Sequence, residues 1–134
     1  MISLQNYILR KRELVNLAII GSRNFSNYEL LQNEVSKFIV ENNFIVDFII
    51  SGGAKGADRY GEIYAFRNNI PTKIFLPDWN QFGKSAGYRR NVQIIDNCDA
   101  VIAFWDEESK GTKHSIDIAK DKHKILKIIR YEIR

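Results

Sequence analysis

The stretch SGGAKGADRYGEIYAFR, Ser51 to Arg67, joins two patterns with different periods. Ahead of it runs the apolar segment Ile45–Ile50, and within it Ala57, Tyr60, Gly61 and Tyr64 recur at helical spacing. Between these lie Gly52, Gly53 and Gly56, three residues without side chains at a place where the backbone must bend sharply or be approached closely. A strand that passes through such a turn into a helix brings backbone N–H groups and the positive end of the helix dipole to one point, a geometry suited to an anion.

Outward from this junction the same alternation repeats. Asn16–Gly21 reads as a first strand, and Ser26 with Glu29 forms an S-x-x-E capping box ahead of Leu31, Val35, Phe38 and Ile39 at helical spacing. Asn69-Ile70-Pro71 stops the second helix, and Thr72–Leu76 reads as the third strand. A third helix begins near Ala86 and sets Tyr88, Val92, Ile95 and Cys98 on one stripe. Ala100–Trp105 is the fourth strand, Thr112–Lys122 a helix with Ile116 and Ala119 facing inward, and Ile125–Tyr131 a fifth strand. The end of that strand alternates Ile129, Tyr131 and Ile133 with charges, as an edge does. Apolar strands alternating with helices predict an α/β domain with a doubly wound, five-stranded parallel sheet. The expected strand order is 3-2-1-4-5, with the first two helices on one face and the next two on the other. Residues 1–15 find no place in this scheme, so the core is expected over 16–131 of a single domain, 1–134.

Composition narrows the function classes. The chain has 134 residues, 45% of them hydrophobic and 27% charged, enough for one core. Its apolar runs are far shorter than the ~20 residues of a membrane span, and no leader pattern opens it, so a soluble, cytoplasmic protein with no membrane partner is expected. The lone Cys98 fits a reducing compartment, and His114 and His123 lie in no metal-binding pattern; no metal or cofactor is expected. The net charge of +4 is local: residues 110–134 hold eight Lys/Arg against three Asp/Glu. Lys120, Lys122, Lys124 and Lys127 straddle a helix end, where cations meet the negative dipole pole, so the excess reads as a solvated face rather than a nucleic-acid surface.

Three polar, glycine-bearing loops follow strands: GSRNF (21–25), SGGAKGAD (51–58) and WDEESKGT (105–112). In a doubly wound sheet they share one edge, beyond the carboxyl ends of the strands, where ligands bind. Together with PDW and FGKSAGYRRN, and in this order, they closely resemble the YspA-like branch of the SLOG superfamily, the Rossmann-like group that includes the Lonely Guy phosphoribohydrolases and DNA-processing protein A. The resemblance covers roughly residues 16–130. It implies a Rossmann-like fold and a phosphorylated nucleoside or nucleotide-derived, ADP-ribose-like ligand at the strand ends, in bacteria or their phages.

The residues expected to serve that ligand fall into groups. Gly21, Ser22 and Arg23 leave the first strand, where a long cation at the middle of the sheet reaches to either side. Ser51, Gly52, Gly53, Lys55 and Gly56 form the expected phosphate cradle. Asp58, in the first turn of the helix, is either a dipole partner or an acceptor for ribose hydroxyls. Trp79 offers a stacking face, and Lys84, Arg90 and Asn91 a second polar group; Arg89 and Arg90 are adjacent and cannot share a helix face, with Arg90 favoured inward. Gly111 and Thr112 present N–H groups to a second phosphate, or Thr112 is a simple cap.

Catalysis is where the chain departs from its relatives. Lonely Guy enzymes carry PGG-x-GT-x-x-E, whose glutamate assists cleavage of an N-glycosidic bond. In the matching stretch, Glu108 to Ser115, only Gly111-Thr112 survives and Ser115 stands at the glutamate position. A serine cannot stabilise an oxocarbenium-like transition state by charge. Binding without turnover, as a sensor or sequestering module, is therefore the expectation. An N-glycosidase or phosphoribohydrolase using Asp58, Asp106 or Glu107 is the first alternative, and single-stranded DNA binding the second. Nucleic acid ranks below a small nucleotide derivative as partner, and self-association is left open.

Overall fold

The computed structural model describes residues 12–132. Its strands are β1 (Glu13–Gly21), β2 (Phe44–Ser51), β3 (Thr72–Ile74), β4 (Ala100–Trp105) and β5 (Ile125–Arg130), all parallel, in the order 3-2-1-4-5. Between them run α1 (Tyr28–Glu41), α2 (Ala57–Arg67), a short α3 (Trp79–Phe82) followed by one 3-10 turn, α4 (Ala86–Asp96) and α5 (Lys110–Asp121). The expected α/β class, strand count and order are all present.

Two apolar layers hold the sheet. Leu17, Ile19, Ile102 and Phe104 point to the side of Leu31, Val35 and Phe38 of α1 and Ala57 and Tyr64 of α2. Ala18, Ile20, Val101 and Ala103 point to the other side, against Ile94 and Ile95 of α4 and Ile116 and Ala119 of α5. Alternate residues of one strand serve opposite faces, which is why the central strands read as unbroken apolar runs. β1 sits between β2 and β4, and the chain crosses from one half of the sheet to the other between β3 and β4. Loops after β1 and β4 therefore diverge in opposite directions and open a crevice at the carboxyl edge.

Several boundaries differ from the sequence reading, each for a local reason. β1 starts at Glu13, because Glu13–Val15 pair with Phe44–Val46 before a bulge between Val15 and Asn16 shifts the register. The cap of α1 is Asn27, whose Oδ1 accepts from Leu30 N at 3.0 Å, in place of the Ser26–Glu29 box. β3 stops at Ile74, two residues short, and α3 was not expected at all: Asp78 caps it by accepting from Gln81 N at 3.1 Å. α5 begins at Lys110 with Ser109 as its cap, so Thr112 lies inside the first turn and is not the cap. On α4 the buried stripe is Ala86, Arg90, Ile94 and Ile95, while Tyr88 is exposed. Ile133 and most of residues 1–15 lie outside the described residues.

Candidate functional site

Close backbone packing brings the three strand-exit loops together. Ser22 N donates to Phe104 O at 2.9 Å, and Ala57 N donates to Ser22 O at 3.2 Å, so β1's exit is pinned both to β4 and to the start of α2. A Cβ on Gly21 would lie 2.3 Å from Phe104 O, and one on Gly56 2.4 Å from Ser22 O. These two glycines are therefore packing requirements of the junction.

Over this junction lies a cleft of about 480 Å³. Gly21, Ser22 and Arg23 form its floor on one side, and Asp106, Gly111 and Thr112 on the other. Trp79, Lys84, Arg90 and Asn91 line it from α3, the following turn and α4, and Asp58 from α2. Gly52, Gly53 and Lys55 line an adjoining recess of about 300 Å³ that shares Arg23, Trp79 and Arg90 with the cleft. Ser51 and Gly56 line neither. Ser51 is buried and donates to Glu62 Oε2 at 2.8 Å, supporting the loop from beneath.

The glycine loop is organised by its own side chains. Gly53 N donates to Ser51 Oγ and Ala54 N to Asp58 Oδ2, both at 3.2 Å, while Arg90 Nη1 donates to Gly52 O. A Cβ on Gly52 would lie 2.7 Å from both Arg90 Nη1 and Asp58 Oδ2, so the glycine lets both charged groups close on one peptide. Part of the expected anion cradle is thus filled by Asp58, which acts here as the loop's internal acceptor.

Asp58 is 6% exposed. Burial pushes its carboxyl up to about 6; the Ala54 N–H, then the nearby Arg90 and, more weakly, Arg23 act against that, while Glu62 adds to it. Burial likewise lowers the Arg90 guanidinium, and Asp58 opposes the change. Arg90 is turned inward and Arg89 is exposed. Arg90 Nε also donates to Asn91 Oδ1 at 3.2 Å, and Asn91 Nδ2 approaches Gly111 O at 3.4 Å and His114 Nδ1 at 3.3 Å, which ties α4 to the first turns of α5.

Asp106 has a different character. Its carboxylate accepts from Ser22 Oγ at 3.1 Å, Asn24 Nδ2 at 2.8 Å, Glu108 N at 3.0 Å and Ser109 N at 2.8 Å. Desolvation pushes its pKa up, yet these four donors outweigh it and hold the group below the usual carboxylate range. It is an ionised hub that shapes the loop after β4. Glu107 pairs with Arg130 at 2.8 Å, on the surface.

Tyr88, Gly87, Asn24, Ser109 and Ser115 also line the cleft and were not singled out as ligand residues by sequence. A signal existed for Gly87: with Asn91 and Ile94 it repeats at helical spacing along the cleft-facing side of α4. Assigning Tyr88 to the core masked it. Trp79 is 53% and Tyr88 49% exposed, two large rings that the fold leaves in contact with the cleft.

Several of the cations of the C-terminal segment are engaged within the protein. Lys122 pairs with Asp96, Lys127 with Glu34 at 3.4 Å and Glu41 at 3.7 Å, and Lys113 with Asp117 at 2.9 Å, while Lys124 donates to Cys98 O at 2.8 Å. Among the described residues no helix is long and apolar enough to cross a membrane.

Comparison with known proteins agrees with this architecture. DNA processing protein A from Streptococcus pneumoniae superposes with a TM-score of 0.67 over 93% of this chain and 53% of that one, at 22% identity, a likeness of fold. The "Gene 61 protein" of Mycobacterium phage D29 is 32% identical over 72 residues, 49% of this chain and 58% of the phage protein. This chain therefore spans little more than half the length of either. The family model described as YspA, cpYpsA-related SLOG family matches residues 15–82, which include most of β1, the glycine loop and Trp79. With about half of its length matched by that model, the chain belongs to the YspA, cpYpsA-related SLOG family.

Proposed function

We propose that the cleft binds a phosphorylated nucleoside or a nucleotide-derived ligand of ADP-ribose type and holds it without turnover. What supports this reading above all is the convergence of Arg23, Lys84, Arg90 and the first turn of α5 on one cleft at the sheet's switch point. Three cations and a helix N-terminus around one hollow attract an anion, and guanidinium groups match phosphate oxygens in pairs. Membership of the SLOG family favours a nucleotide as the bearer of that anion. The glycine loop has its Gly53 and Ala54 N–H groups taken by Ser51 and Asp58, and in the first turn of α5 Ser109 Oγ takes that of Thr112 at 3.3 Å, so the Gly111 N–H and the dipole end of α5 are the better phosphate seat, in the cleft that Arg90 and Arg23 also line.

Thermal denaturation with a panel of nucleoside 5′-monophosphates, ADP-ribose, NAD and unphosphorylated nucleosides tests this reading. A phosphorylated ligand at ~100 times its dissociation constant is expected to add about 2.7 kcal/mol of stability, and the matching nucleoside little. Equal titration curves for nucleoside and nucleotide would contradict it.

The alternative of an N-glycosidase draws on one observation, the buried Asp58 carboxyl at about 6 inside the cleft, since general acid–base groups are poised in that range. Incubation with nucleotides followed by chromatography is expected to show no free base. Release that disappears in Asp58→Asn would establish the enzyme reading instead. Single-stranded DNA is expected to bind weakly at physiological salt, because several cations of the C-terminal segment are engaged internally and Tyr131 is the one aromatic in residues 110–134 to interleave with them. A submicromolar dissociation constant would reverse that order.

A further inference from the structure

We infer that Asp58 is the residue that selects the sugar, taking a ribose hydroxyl of the bound nucleotide on its free carboxylate oxygen. This deepens, and rests on, the reading of the cleft as a nucleotide site. Asp58 lines the cleft yet is 6% exposed, and only its Oδ2 has a hydrogen-bond partner among the described residues, the Ala54 N–H at 3.2 Å. Oδ1 has none. The neighbouring guanidinium does not satisfy it: Arg90 donates to Gly52 O, Phe75 O and Asn91 Oδ1, and among the described residues no ion pair within 4.0 Å joins it to Asp58. A carboxylate buried without an ion-pair partner is costly to keep. The protein nonetheless builds the loop around it, since Gly52 has no room for a Cβ beside Oδ2.

The chemistry of an oxygen that only accepts decides what can sit there. A phosphate placed against it would be repelled, whereas a hydroxyl donates to it and supplies the missing partner. A nucleotide offers both kinds of group. Its phosphate goes to the cations and the first turn of α5, and its ribose hydroxyls to Asp58. Near neutral pH the carboxyl is mostly ionised, so the hydrogen bond is charge-assisted.

Isothermal titration of the four ribonucleoside 5′-monophosphates and their 2′,3′-dideoxy counterparts, with wild type, Asp58→Asn and Asp58→Ala, tests the assignment. The wild type is expected to prefer the ribonucleotide by about ten-fold or more, the worth of a hydrogen bond to a charged acceptor. Both variants are expected to reduce that preference to about three-fold or less while still binding the dideoxy nucleotide. Equal affinity of wild type for the two sugars, or a preference that survives in both variants, overturns the assignment and leaves the nucleotide reading intact. Failure of every monophosphate, and of ADP-ribose and NAD titrated alongside them, to bind wild type overturns both.

Discussion

Asp58→Asn is expected to stabilise the folded protein at neutral pH by up to about 3 kcal/mol, the equivalent of roughly two pH units of pKa displacement. Its carboxyl titrates near 3.8 in the unfolded chain and at about 6 in the fold, because burial disfavours the charge more than the Ala54 N–H, Arg90 and Arg23 favour it. The sign follows from proton counting. Below about pH 4 both states hold the proton and the group costs nothing. Between about 4 and 6 the unfolded state releases its proton first, so stability falls as pH rises; above about 6 the full cost remains. Asparagine keeps an acceptor for Ala54 N and removes the charge. Urea denaturation of wild type and variant from pH 4 to 8 checks this, because other carboxylates, including the low-titrating Asp106, contribute equally to both and cancel in the difference. Parallel curves over that whole range would mean that Asp58 ionises in the fold as freely as in water. On the proposed reading of the cleft, the same substitution that raises stability is expected to erode sugar selection.

Gly56→Ala is expected to destabilise the protein by about 3 kcal/mol or more and to abolish nucleotide-induced stabilisation. Gly56 has φ +85° and ψ −134°, a conformation that residues with a Cβ avoid. The added Cβ would also meet two carbonyl oxygens, Ser22 O at 2.4 Å and Arg23 O at 2.5 Å, which belong to backbone and cannot swing aside. Relief requires the loop after β1 to separate from the start of α2, breaking the Ala57 N to Ser22 O bond and moving Arg23 away from the cleft. Gly111→Ala is the contrasting case: a Cβ there meets nothing within 4 Å, and in the first turn of a helix alanine is expected to add up to about 1 kcal/mol. Denaturation midpoints of the two variants compared with wild type decide the matter. A Gly56→Ala protein as stable as wild type would show that the loop junction is softer than its contacts imply.

The fold was legible because its signals are local and periodic. Ala100–Trp105 was bounded to the residue, since a central parallel strand buried on both faces is apolar throughout and ends where polarity returns. β3 was overextended because an edge strand of three paired residues carries no such contrast: Thr72, Lys73 and Ile74 are all exposed. α3 escaped notice because a four-residue helix has too few turns to show a period. Tyr88 was assigned to the core from its spacing with Val92 and Ile95. The inner position belongs instead to Arg90, whose guanidinium finds carbonyl acceptors at Gly52 and Phe75 that are 38 and 15 residues away in sequence.

Sequence alone determined the α/β class, the strand order and the edge on which the three glycine-bearing loops meet. Those follow from hydrophobic period and from the steric freedom of glycine, properties of residues and their near neighbours. Only the tertiary structure decided which glycines close packing requires, since Gly21 and Gly56 are dictated by carbonyl oxygens of β4 and of the loop after β1, far away in sequence. It also separated two carboxylates that look alike in sequence. Asp106 is saturated by four donors and stays ionised, whereas Asp58 is desolvated with one oxygen free, a distinction that arises only when the dielectric and the hydrogen-bond partners around each group are set by packing.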